Sequence, residues 1–260
     1  MKRTSASTDA MAMSMEEKER RIMEERAQNE LKLQRKYKLE QMMKKRHANL
    51  RYLKRVHEGH SYWMNTVLFS ESDVDKYIST AISKQRIESY FSLGLSISKI
   101  LKLGTGLDVV RGFSQLLEEW EYMNSGTAMQ SVKYVMAKNS SCIYPQMNPI
   151  DGLSDLLRPS VYKFNNAVVF EYLEDPHVAF DLDYVEVLYG LCDELIMLYE
   201  SIVSEECYSD TVVYDAIMRL DSRIKHHIIN LISKEINEIC LGKVKSTLAT
   251  PGLNMSINTK

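Results

Sequence analysis

The stretch MEEKERRIMEERAQNELKLQRKYKLEQMMKKRHANLRYLKRVHE, Met15 to Glu58, decides how this chain folds. It contains no glycine and no proline. Glu, Lys, Arg, Gln, Leu and Met dominate it, and these side chains lose little rotamer freedom in a helix. One uninterrupted helix of this length reaches roughly 60 Å at 1.5 Å per residue. Its first half alternates Glu16, Glu17, Glu19, Glu24, Glu25 and Glu30 with Lys18, Arg20, Arg21 and Arg26, and has too few apolar residues for a seam. In its second half Leu39, Met43, Arg46, Leu50, Leu53, His57, His60 and Met64 follow a 4-3 spacing. That coiled-coil-like stripe lasts under four heptads, so it suits either a coiled coil or docking on this chain's own body.

Charge gives the helix a second character. Between Lys32 and Arg55, ten cations (Lys32, Arg35, Lys36, Lys38, Lys44, Lys45, Arg46, Arg51, Lys54 and Arg55) face only Glu40, and Tyr37 and Tyr52 are interleaved. A stripe this basic attracts anionic surfaces, whether an acidic protein polymer, nucleic acid or anionic lipid. These ten residues are the candidate partner-binding site; offset by the chain's own acidic part is the competing explanation. Residues 1–56 hold 16 Lys+Arg against 8 Asp+Glu, and the rest of the chain holds 17 against 27, so the overall charge of −2 conceals a basic arm on an acidic body.

Outward from the arm, residues 1–14 are rich in Ser, Thr and Met and are expected to be disordered. Residues 15–64 read as the arm, 70–248 as a globular helical domain, and 249–260 as a flexible tail. Scarce Gly (10) and Pro (5) in 260 residues argue for few connections and long helices. Within the domain, Ser70 and Ser72 are candidate caps for a first helix with Val74, Ile78, Ala81 and Ile82 on its apolar face. The face resumes at Phe91, Leu95 and Ile100 before Gly104 and Gly106 stop it. A helix over Leu107–Met123 carries Trp120, and a shorter one carries Met129, Val132 and Met136. An irregular connection over 139–165 is expected to contain one short helix near Gly152–Leu157. The run Val168–Leu173 has strand-like composition but stands among helices, and we read it as helix. A helix over Asp183–Val203, with Asp181 as candidate cap, carries Leu195. The last helix runs from near Ser209 to Leu248, carries Ile228, and has Gly242 as a candidate bend. Trp120, Leu195 and Ile228 are expected in the core. The fold class is all-α: an irregular helical bundle with a long charged N-terminal helix.

Motifs for chemistry are missing. The chain has no GxxxxGK[ST], no GxSxG and no kinase signature, and Gly104-Thr105-Gly106 lacks the third glycine of a dinucleotide loop. His57-Glu58-Gly59-His60 resembles HExxH, but its second histidine comes one residue early. Glu174 and His177 have ExxH spacing, interrupted by Pro176. Clusters at Glu118-Glu119-Glu121 and Glu205-Glu206 read as a solvated helix face and a loop. His226-His227 reads as one ring at the core edge and one in solvent. Cys142, Cys192, Cys207 and Cys240 are too far apart in sequence for a CxxC pair and read as reduced, packed thiols. Met1-Lys2-Arg3 is followed by Thr4-Ser5-Ala6-Ser7 where a signal peptide needs an apolar run, and no stretch could span a bilayer. The expectation is therefore a cytoplasmic, cytoskeleton-associated or nuclear adaptor that is no enzyme and needs no cofactor. Its basic arm would bind a protein with an acidic surface, and its domain a second protein. A nucleic-acid-binding protein using the same arm is the first alternative, and an enzyme assembled from dispersed residues the second.

Overall fold

The computed structural model describes residues 3–79, 82–136, 142–143, 160–165 and 167–249. The expected helix at 152–157 and all of the tail beyond 249 lie outside them. The chain is mostly helical, an all-α bundle with one small sheet. Helix α1 runs Arg3–His57. It therefore begins inside the stretch expected to be disordered, where Ala6, Ala10, Met11, Ala12 and Met13 favour helix.

The 4-3 stripe of α1 is not a coiled-coil seam. Leu39, Leu50, Leu53 and Val56 are buried in one core with residues between Trp63 and Cys240. Helix α1 ends where Gly59 adopts φ +73, with Phe69 O only 2.9 Å from where a Cβ would stand. The chain then folds back. Tyr52 stacks on Trp63, its hydroxyl donates to Tyr62 O and accepts from Met64 N, and Trp63 Nε1 donates to Asn237 Oδ1 at 2.6 Å.

Ser70 caps the next segment as expected: its hydroxyl accepts from Asp73 N, and Asp73 accepts in return from Ser70 N. That segment is short, α2 (Glu71–Asp73) followed by a π-helical turn over Val74–Ser79. A new helix, α3 (Lys84–Ile100), starts with Ser83 as its N-cap. Helix α4 (Leu107–Met123) matches the sequence reading, and Trp120 Nε1 ties it to α3 through Ser89 O at 3.1 Å. Helix α5 (Thr127–Met136) is also present, but its apolar residues Met129, Val132 and Met136 are exposed.

The run at 168–173 departs from its reading as helix. Strands β1 (Cys142–Ile143), β2 (Val161–Phe164) and β3 (Ala167–Val169) form an antiparallel sheet in that order. Phe164 pairs with Ala167, and Asn165 takes φ +48, a conformation asparagine tolerates. Beyond β3, the backbone N–H groups of Glu171, Tyr172 and Leu173 all donate to the Glu119 carboxylate at 2.7 to 3.0 Å, so helix formation there would forfeit three hydrogen bonds.

Helix α6 (Tyr184–Ile202) is the centre of the bundle. Leu188, Leu191, Cys192, Leu195, Leu198, Tyr199 and Ile202 recur at helical spacing and are buried against α3 and α1. Its cap is Asp183, which accepts from Glu186 N; Asp181, the expected cap, pairs with Lys84 instead. Short α7 (Glu205–Ser209) leads to α8 (Thr211–Ile224), capped by Asp210. The helical path continues through a π-helical segment, Lys225–Ile229, into α9 (Asn230–Ala249). The irregularity thus falls at His226-His227, and Gly242 lies within α9. Trp120, Leu195 and Ile228 are all buried, as are Cys192, Cys207 and Cys240.

Candidate partner-binding surface

Packing one face of α1 into the core splits its ten cations into two groups. Arg46 points inward: Nε donates to Asp221 Oδ1 at 2.6 Å and Nη2 to Oδ2 at 2.7 Å, while Tyr199 Oη donates to the same carboxylate at 2.8 Å. Both partners are buried, and the Asp221 carboxylate raises the Arg46 pKa against the opposing cost of burial. Lys54 meets both oxygens of Asp193 at 2.7 and 2.8 Å, with its ammonium over the Tyr189 ring. Arg35 donates to Tyr208 O, Ser209 O and Thr211 Oγ1, so it closes the carbonyl end of α7. Lys32 and Lys36 lie over the Tyr208 ring. These five side chains meet the body of the same chain.

Lys38, Lys44, Lys45, Arg51 and Arg55 form the other group. All five are exposed, and none has an ion-pair or hydrogen-bond partner for its charged group among the described residues. At 100° per residue they fall on an arc of roughly 140° opposite Leu39, Leu50 and Leu53, and they span about 25 Å of helix. Tyr37 is exposed on the same face. Toward the N-terminus, residues 17–31 are exposed all round, with ion pairs such as Arg21–Glu17 running along the helix.

No protein-family model, curated protein or solved structure matches this chain.

The acidic residues also sort differently from their reading as a solvated face. Glu119 is fully buried and, besides the three backbone N–H groups, accepts from Gln115 Nε2 at 2.7 Å. Gln115 in turn pairs with both backbone groups of Ser160, so α4 holds both flanks of the sheet. Glu118 is buried beside Arg223, which reaches it at 3.2 Å and Glu121 at 2.7 Å; burial raises the Glu118 pKa. His57, of the run that resembles HExxH, is buried: Nδ1 lies 2.7 Å from Leu53 O and Nε2 3.2 Å from Tyr184 Oη. A carbonyl only accepts, so Nδ1 carries the proton and Nε2 accepts from the Tyr184 hydroxyl. His226 is exposed and His227 partly buried against Trp120, in line with their reading.

Among the described residues no three His, Cys, Asp or Glu side chains gather as a metal site, and no helix is long and apolar enough to cross a membrane.

Proposed function

We propose that the protein is a non-enzymatic adaptor: the outward basic face of α1 holds a partner with an acidic surface, and the helical body carries a second protein. The observation that supports this reading is the set Lys38, Lys44, Lys45, Arg51 and Arg55, five cations left outside the fold while the other five are spent within it. Residues 57–260 carry a net charge of −10, so an anionic surface is drawn to α1 and repelled elsewhere. The cations lie along one helix, which suits a flat acidic protein face better than a wrapped duplex. The partner we name is an acidic cytoskeletal polymer of the microtubule or ciliary kind, which places the protein in the cytoplasm.

Co-sedimentation with microtubules, set against duplex DNA at matched ionic strength, tests the reading. It requires preferential pelleting with microtubules, weakening as salt shortens the Debye length below about 10 Å. Preference for DNA would overturn it in favour of nucleic-acid binding.

A further inference from the structure

Helices α1 and α6 lie side by side and antiparallel. Lys54 of α1 meets Asp193 of α6 at 2.7 Å; one heptad earlier on α1, His47 Nδ1 lies 4.0 Å from the Glu200 carboxylate, one heptad later on α6. These two contacts fix the register of the pair and the side of α1 that faces α6. Counted from Leu39 at about 100° per residue, Lys54 and His47 stand at roughly 60° and 80°. Arg51, Lys44 and Arg55 follow at roughly 120° to 160°, so three of the free cations form an exposed row on the side of α1 next to α6. On α6, Glu186, Asp193 and Glu200 recur at heptad spacing, all exposed, opposite the buried Leu188, Leu195 and Ile202.

A basic row beside an acidic row makes a surface complementary to itself. Turned about a two-fold axis along the seam between the rows, a second copy lays its acidic row on the basic row of the first, and its basic row on the acidic one. Rotation about that axis keeps every residue at its own level along the helices. Glu200 is level with His47 and Asp193 with Lys54. Glu200 of the second copy therefore falls between Lys44 and Arg51, about 4–6 Å along the axis from each, and its Asp193 falls within about 2 Å of the level of Arg55. Exposed Ala48 comes opposite exposed Met197, an apolar contact with room for close approach. The four helices then alternate in direction, as in an antiparallel four-helix bundle.

We propose that α1 and α6 together dock a second copy of this chain, as a two-fold dimer held by these rows of charge. Residues 1–56 carry a net +8 and the rest −10, so two copies attract through unlike faces. Exposed ion pairs make such a contact salt-sensitive and weak, of micromolar rather than nanomolar strength. The proposal deepens the adaptor reading, resting on the same free cations, and supplies a regulation of that face. The dimer covers Lys44, Arg51 and Arg55, so self-association competes with the acidic partner for α1.

Sedimentation equilibrium of the full chain tests the proposal, with two variants of opposite sign, Lys44→Glu/Arg51→Glu and Glu200→Lys. The wild type should dimerise in the micromolar range at low salt and dissociate as salt shortens the Debye length. Each variant alone should dimerise at least about tenfold more weakly. An equimolar mixture of the two should recover the dimer, because unlike rows then face each other on both sides of the axis, a result that misfolding of either variant would not give. Microtubule pelleting of Glu200→Lys, which leaves every cation of α1 in place, reports on the adaptor reading alone, so the two readings fail separately. A wild type that stays monomeric at low salt, a single variant that dimerises as the wild type does, or a mixture that stays monomeric would each overturn the dimer.

Discussion

Arg46 and Asp221, 175 residues apart in sequence, form a two-pronged buried ion pair that fastens α1 to α8. Its position on the 4-3 stripe explains why the stripe tolerates a charge: the guanidinium enters the core only because a carboxylate and the Tyr199 hydroxyl wait there. Removing one partner strands the other. Arg46→Met should cost about 3–5 kcal/mol in urea unfolding, and adding Asp221→Leu should recover much of it. Additive losses in the double variant would show that the two residues do not act as a pair.

Glu119 makes a sharper demand on the chain than its charge suggests. Glu119→Ala leaves the N–H groups of Glu171, Tyr172 and Leu173 without their acceptor, with an expected loss of about 3 kcal/mol or more. Hydrogen exchange reads this directly: those three amides should lose protection while the α6 amides keep theirs. Retained protection at 171–173 would mean that the sheet alone holds this segment.

The core positions should respond as a packed interior does. Trp120→Ala, Leu195→Ala and Ile228→Ala should each lower stability by roughly 2–5 kcal/mol. Unchanged melting in all three would contradict their burial.

How much of this was legible in the sequence depended on the range of the interaction. Helix α4 was placed to the residue because caps, breakers and apolar spacing are local. The β2–β3 hairpin also had a local signal, Asn165-Asn166 between two runs of strand-forming residues, and the partner for Val168 and Val169 lay just upstream at Tyr162 and Lys163. The burial of Glu118, Glu119 and His57 had none. Glu118 meets Arg223 across 105 residues and His57 meets Tyr184 across 127, and nothing near either residue announces the partner. The basic stripe was visible as composition, but its division into clamps and free cations required knowing which face of α1 enters the core.

Acid should weaken the fold through His57. Burial lowers its pKa below the usual value of 6.5, outweighing the hydrogen bond to Leu53 O. Above 6.5 the ring is neutral in both states and contributes no pH dependence. Below it the unfolded chain takes up the proton first, so stability falls as pH drops from 6.5 toward the folded value. Urea midpoints between neutral pH and pH 5 should therefore fall more steeply in the wild type than in His57→Gln. Parallel slopes would show that His57 titrates alike in both states.

The division of α1 into an inward and an outward set of cations is tested most directly by one comparison. Lys38, Lys44, Lys45, Arg51 and Arg55 are replaced together by Gln, and microtubule co-sedimentation is measured beside the thermal midpoint. Binding should fall at least about tenfold, because five free charges are gone. The midpoint should stay within about 2 °C, because none of the five holds the body together. A variant that pellets with microtubules as the wild type does would contradict the assignment of this face to a partner.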